Sequence, residues 1–354
     1  MFDAARFRAL AALLAKCHPG FDARRFVRLS TTGLAPLTLL QRLRHGTQAL
    51  HATLPADYSA ALAVLRKLAP QMPPDFVGLL LPDYVGVYGH DQFDESMAAL
   101  YYFTRFSSGE FAIREFLRRD LKRTLAVMEG WSRDPDENVR RLASEGARPR
   151  LPWAFRLEAL VADPHPTARI LENLQADPSL YVRKSVGNHL NDIAKDHADW
   201  VLARLRSWDL AHPATRWIAK RAVRTLIKAG HPGALALFNF APKPRIRLTG
   251  LRVSPARLKL GGQVEISFAL SSAGRRTQPL AVDYRIHYVK ASGRRSAKVF
   301  KLREVMLAGG QRLAFTKRQT LRAFTTRRHY SGRHRVEILV NGRVLGQGSF
   351  HLEI

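Results

Sequence analysis

The hydrophobic period of this chain changes once, and the change falls at a pair of prolines. Upstream of the segment 239–245 (NFAPKPR), apolar residues recur at spacings of three and four, as in Phe7, Leu10 and Leu14, or Met97, Leu100, Phe103 and Phe106. Downstream they alternate, in Val264, Ile266, Phe268 and Leu270, again in Val282, Tyr284, Ile286 and Tyr288, and again in Val336, Ile338 and Val340. The first spacing lays an apolar stripe along a helix and the second an apolar face along a strand. Pro242 and Pro244 disfavour helix and make a stiff, extended connector. The chain therefore reads as two domains, an all-α one at 1–242 and an all-β one at 243–354. Its 354 residues are too many for one core and enough for two.

The two parts also differ in charge. The first carries 33 basic and 24 acidic residues, the second 24 and 5, so the smaller part holds most of the formal net charge of +28. Apolar residues make up 46% of the chain, which excludes a disordered basic tail. A solubility charge would raise both signs together. The balance points instead to a polyanion, nucleic acid before an anionic membrane surface. No apolar run approaches the ~18 residues of a membrane-spanning helix. The opening MFDAARFRALAALLAKC reads as an amphipathic first helix rather than a signal peptide, because Asp3 precedes its apolar patch. One cysteine, Cys17, makes neither an internal disulfide nor a cysteine metal site, and the expected compartment is cytosolic.

Within the helical part, Asp134-Pro135 through Val139-Arg140-Arg141 matches Asp177-Pro178 through Val182-Arg183-Lys184, 43 residues later, and a looser copy runs from Asp209 to Thr215-Arg216. This pattern resembles HEAT repeats, helix pairs stacked into a curved solenoid. In each copy Asp is expected to cap the second helix, Val to enter the core, and Arg140, Arg183 and Lys184 to face the concave surface, where they and Arg148 and Arg150 are expected to bind nucleic acid. In the segment 214–230, Arg216, Lys220, Arg224 and Lys228 fall every fourth residue and predict one basic stripe along a helix. Like charges at this spacing repel, and no Glu is mixed among them, which favours phosphate binding over a plain solvated face.

The alternating part predicts about seven short strands punctuated by Gly261-Gly262, Ser292-Gly293, Gly309-Gly310 and Asn341-Gly342, the last a strong hairpin signal. That pattern argues for an immunoglobulin-like sandwich without its inter-sheet disulfide. Its turns carry paired bases, Arg275-Arg276, Arg294-Arg295 and Arg327-Arg328, expected to contact nucleic acid.

No metal-ligand or nucleotide-binding motif stands out. His189, Asp192 and His197 are thin for a metal site and read as buried polar residues. Ser107 and Glu110 at spacing three suggest a capping box. Glu145 is odder: Gly146 ends its helix, so the carboxylate meets the negative end of the helix dipole, among Arg140, Arg141, Arg148 and Arg150 that keep it ionised. Pro152 is placed to begin the next helix. Trp153, taken alone, is more at home in a core.

Three strings carry a more specific likeness: SSGEFAIR at 107–114, VRRLASEGARPRLPW at 139–153 and YVRKSVGNHLNDIAKDH at 181–197. Together with the two-domain layout they resemble the AlkC branch of the AlkD-like DNA glycosylases, HEAT-like solenoids that remove alkylated bases, some with an added immunoglobulin-like domain. The resemblance implies that Glu110 and Glu145 are the active-site glutamates, Trp153 an aromatic at the lesion, and Asp192 a further member of the site. One position departs, with Glu115 standing where the family pattern has proline. The implied activity is monofunctional excision of cationic bases, 3-methyladenine and 3-methylcytosine, from double-stranded DNA, by a monomer with no cofactor, metal or membrane partner. The rivals are a non-catalytic HEAT scaffold that binds nucleic acid and a binder of anionic membrane surfaces, for which no basic amphipathic anchor is evident.

Overall fold

Aspartates start many of the helices in the first part. The side chains of Asp3, Asp22, Asp57, Asp120 and Asp136 accept backbone N–H groups at the N-termini of five helices, satisfying donors that a helix leaves unpaired. The computed structural model describes residues 2–323 and 328–354. The chain divides into two compact units, Met1–Ala222 and Val223–Ile354. The described residues of the first unit are helical: α1 (Ala4–Cys17), α2 (Ala23–Thr31), α3 (Leu39–His51), α4 (Tyr58–Leu68), α5 (Leu80–Tyr88), α6 (Phe93–Phe103) and α7 (Ile113–Arg119). There follow α8 (Leu121–Trp131), α9 (Glu137–Gly146), α10 (Glu158–Ala162), α11 (Ala168–Asn173), α12 (Leu180–Ile193), α13 (Ala198–Ser207) and α14 (Pro213–Ala222). No helix among the described residues is long and apolar enough to cross a membrane.

The repeated motif has one geometry in both copies. Val139 on α9 and Val182 on α12 are fully buried, and α12 packs against both α9 and α14. The aspartates do not cap these helices. Asp134 accepts from the Asp136 amide and Asp177 from the Ser179 amide, both at 2.8 Å, closing the turn one step before the helix. Asp136 and Ser179 are the caps, because the proline after each aspartate delays helix entry by a residue pair. Arg140 donates to the carbonyls of Asp134 and Pro135, and Arg183 to those of Asp177 and Pro178. Arg140 also forms a two-point ion pair with Asp177, at 2.7 and 3.2 Å, which ties one copy to the next.

In the second unit α15 (Arg224–Ala229) and α16 (Pro232–Ala236) precede β1 (Ile246–Ser254), β2 (Arg257–Lys259), β3 (Gln263–Ser272) and β4 (Gln278–Val289). Then come β5 (Arg295–Leu307), β6 (Arg312–Thr320), β7 (Gly332–Val340) and β8 (Arg343–Glu353). They form a three-stranded sheet, β1-β3-β6, and a five-stranded sheet, β2-β8-β7-β4-β5. The alternating residues read from the sequence fill one core, with Phe268 and Phe315 stacked at 5.0 Å. The short β2, parallel to β8, gave no periodic signal.

Two expectations change here. The sequence puts the domain boundary at 242/243, whereas the second compact unit begins at Val223. Asn341 fastens the intervening segment to the sandwich: its side chain accepts from the Ala281 amide and donates to the Ala241 carbonyl, both at 2.8 Å. Asn341 and Gly342 take φ of 50° and 78°, the hairpin turn read from the sequence, and Gly342 lies against Gly230 with no room for a side chain. The basic stripe is also not one helix. Val223, at φ −95° and ψ 12°, ends α14 before α15 starts, so Arg216 and Lys220 lie on one helix and Arg224 and Lys228 on another. Lys228 donates to the Val299 carbonyl inside the second unit.

Candidate active site

Within the first unit, α9, the start of α12, the loops at residues 106–111 and 148–153, and the segment before α5 enclose an open cleft of about 610 Å³. The loop between α6 and α7 supplies Ser108 and Glu110, α9 supplies Arg141 and Glu145, and the loop after α9 supplies Arg148 and Trp153. Phe76, Phe106 and Tyr181 complete an aromatic wall.

Glu110 is not part of a capping box. Helix α7 begins at Ile113 with Ala112 before it, so Ser107 and Glu110 lie in the loop ahead of any cap position. The Ser108 hydroxyl donates to Glu110 Oε2 at 2.6 Å, and the Arg141 guanidinium donates to the same oxygen. Glu145 does lie in the last turn of α9 and is 6% exposed. Its Oε1 accepts from Arg148 Nη1 at 2.6 Å and stands 3.6 Å from Arg141 Nη2. Burial alone would raise its pKa. The Arg141 and Arg148 guanidiniums outweigh burial and hold the carboxyl below its ordinary value, so it is ionised at neutral pH. One arginine thus bridges two carboxylates at the floor of the cleft.

Arg148 is itself buried, at 7% exposure. Its Nε and Nη2 both lie 2.8 Å from Asp192 Oδ2, while Asp192 Oδ1 accepts from Lys195 at 2.9 Å. Burial would lower the Arg148 pKa, but Glu145 and Asp192 together raise it. Asp192 sits behind Arg148 and does not line the cleft. The likeness that placed Asp192 at the site therefore finds it one side chain back, orienting the arginine.

Trp153 departs from the core reading. It is 65% exposed, its ring lies 6.2 Å from that of Phe76, and its φ is +67°. Pro152 begins no helix; the chain stays irregular until α10. Tyr181, Phe106 and Phe76 escaped the sequence reading as site residues, and Arg141 entered it only as one of four charges around Glu145, although its spacing of one helical turn from that residue singled it out. Phe76 comes from a distant loop that local pattern does not link to the site. His189 is fully buried and, by burial first and then by Arg148, pushed down to about 3, so it is neutral.

The remaining cations fall into groups. Arg140 is engaged by Asp177, and Arg150 by Asp196 at 2.8–3.2 Å. Arg183 caps its own turn, and Lys184 and Arg216 are exposed. In the second unit Arg275, Arg276, Arg294, Arg295 and Arg328 are exposed, and Arg327 lies outside the described residues. Arg295, Arg333 and Arg335 also line a cleft of about 370 Å³ on the sandwich. Among the described residues, no group of three or more His, Cys, Asp or Glu side chains is placed to hold a metal ion.

Residues 106–226 match the family described as "DNA alkylation repair enzyme", and residues 247–354 match the C-terminal Ig-like domain of the uncharacterised protein YhaZ. The chain is 43% identical to the uncharacterised protein YhaZ of Bacillus subtilis, over 92% of its own length and 91% of that protein. It is similar throughout to the solved structure of the Pseudomonas fluorescens alkylpurine DNA glycosylase AlkC, bound to DNA containing an abasic site analogue. The identity is 49%, the TM-score 0.96, and the match covers 100% of this chain and 98% of that one.

Proposed function

The chain belongs to the AlkC family of DNA alkylation repair enzymes, and from that premise we propose that it is a DNA glycosylase that excises cationic alkylated bases, 3-methyladenine and 3-methylcytosine, from duplex DNA. The observation that carries this reading is the pair Glu110 and Glu145, bridged by Arg141 on the floor of an aromatic-walled cleft.

The chemistry follows from the charges. A base alkylated at N3 carries a positive charge, so its glycosidic bond is already weakened and it departs neutral. The bond breaks with its electron pair going to the base, leaving an oxocarbenium-like deoxyribose. Two fixed carboxylates stabilise that cation, and being held in place by Ser108, Arg141 and Arg148 they need no reorganisation as charge develops. One of them orients the attacking water and accepts its proton. The exposed face of Trp153 offers a cation–π contact to the same charge. Among the described residues lining the cleft there is no lysine, so no amine stands ready to trap the sugar, which supports monofunctional hydrolysis. The helical unit, read as a HEAT-like solenoid, and the basic sandwich supply phosphate contacts.

Incubation with methylated duplex, followed by alkaline cleavage at abasic sites, tests the reading. Strand breaks that depend on both steps are expected. DNA that is bound but stays intact would return the chain to the non-catalytic scaffold.

A further inference from the structure

Among the described residues Arg114 is the largest fully buried side chain, and no carboxylate there is bonded to it. From α7 its Nη1 donates to the carbonyls of Gly146 at 2.9 Å and Arg148 at 2.6 Å, and its Nη2 to that of Phe155 at 2.5 Å. Its Nε is buried without a partner. Burial first, then the like charge of Arg148, lowers its pKa to about 10, so the group stays charged at neutral pH. The guanidinium also lies 5.4 Å from the Phe155 ring centroid, and a buried cation held by carbonyl dipoles and a ring face, with no counter-ion in contact, is costly. A neutral residue would fill the space at less cost if filling space were the need.

The three carbonyls say what the cation does. Gly146 and Arg148 lie before Trp153 in the chain, and Phe155 lies after it. One rigid, planar fork therefore grips both ends of the loop that carries Arg148 and Trp153 into the cleft. Trp153 sits there with φ +67°, a region that a bulky side chain enters only when its surroundings over-determine it. The same grip fixes the Arg148 backbone, from which the guanidinium reaches Glu145 and Asp192. We propose that Arg114 is a positioning residue for the excision reaction: its guanidinium clamps the Gly146–Phe155 loop so that Trp153 faces the substrate and Arg148 orients Glu145. This rests on the glycosylase reading for its activity readout, and on the loop geometry alone for its structural one.

The test is Arg114→Lys, which keeps the charge and loses the fork. Single-turnover excision at saturating protein should fall about a hundredfold, the scale for a misplaced reacting group, with DNA affinity changed far less. The amides of Arg148, Ala154 and Leu157, bonded to Glu145, Leu151 and Pro149 in the native loop, should exchange faster while α12 keeps its protection. A merely structural role would loosen both. Combined with Trp153→Ala, Arg114→Lys should cost clearly less than the product of the two single losses, because the two share the Trp153 contact and only the Arg148–Glu145 arm is left to lose. Multiplicative losses, or unchanged excision and exchange in Arg114→Lys, would overturn the proposal. Should Arg114→Lys not fold, the unaltered protein decides: slow exchange at those three amides upholds the clamp, and exchange at open-loop rates sinks it. If the unaltered protein removes no base from methylated duplex, the glycosylase reading fails, while loop exchange still judges Arg114.

Discussion

Glu145 stands where helix electrostatics oppose it, at the C-terminal end of α9. From the sequence alone, Glu145→Gln is predicted to leave stability level or slightly higher, since it removes a charge from the wrong end of a dipole. The contacts reverse that sign. Arg148 donates to Glu145 from a buried position, and an amide oxygen replaces the carboxylate there imperfectly. Glu145→Gln should lower unfolding free energy by about 1–3 kcal/mol, as for a weakened buried charge-assisted bond. Excision should fall by about a hundredfold or more, as for one lost preorganised group. Because the folded pKa lies below the unfolded one, the stabilisation by Glu145 is present above the ordinary glutamate range and is lost as pH falls through the folded pKa. Melting of parental and variant protein should therefore stay apart down to about pH 4.3, the ordinary glutamate value, and converge across the more acidic range below it. A constant gap across that range would mean the carboxylate is not what stabilises. At this scale the sequence made Glu145 conspicuous because its position is electrostatically wrong. It hid Trp153, whose exposure depends on a loop conformation that no periodicity records.

At the scale of elements, α14 and β4 each carry a charge that their surroundings make testable. Arg216 and Lys220 share α14, one turn apart, and replacing both with Gln should weaken binding to all DNA sequences alike, because phosphate contacts carry no sequence information. A filter-binding series on unrelated duplexes checks it; a loss confined to one sequence would count against a backbone contact. In β4, Asp283 sits at a register shift, 3% exposed. Burial pushes its carboxyl up to about 6, and Lys228 and Lys301 offset only part of that, with Glu304 opposing them. A raised carboxyl pKa favours the folded state below the unfolded value and costs stability as pH rises through about 6. Asp283→Asn should thus stabilise the second unit by roughly 2–3 kcal/mol at pH 7, with the gain vanishing below pH ~4. Equal melting temperatures at pH 7 would refute the cost. The strands were legible because one face of each is buried, which makes alternation obligatory. Asp283 was not, since it alternates out of the core formed by Val282 and Tyr284, on a face that a strand period reads as solvent but that is buried here.

Across the whole molecule, the change of hydrophobic period separated helices from strands correctly, yet its position was not where the chain divides. Residues 223–242 are tied into the second unit by contacts far apart in sequence: Asn341 to Ala241, Lys228 to Val299, and Gly230 against Gly342. A local reading stops at prolines and cannot see such a bond. Charge has the opposite character, because it acts through sums and needs no contact map. The 112 residues from Lys243 onward hold 24 bases against 5 acids, and Arg275, Arg276, Arg294 and Arg295 are exposed on the sandwich. If these arginines neutralise phosphates, each contact releases condensed counterions and steepens the fall of affinity with salt by about 0.9 in the logarithmic slope. Replacing all four with Gln should therefore flatten the slope by up to about 3.6 and leave single-turnover excision at saturating protein near the parental rate, since Glu110 and Glu145 lie in the other unit. Titrations of undamaged duplex across a range of salt concentrations measure the slope directly. An unchanged slope in a folded variant would remove these four arginines from the DNA surface, and a lost excision rate at saturation would mean that the sandwich does more than bind.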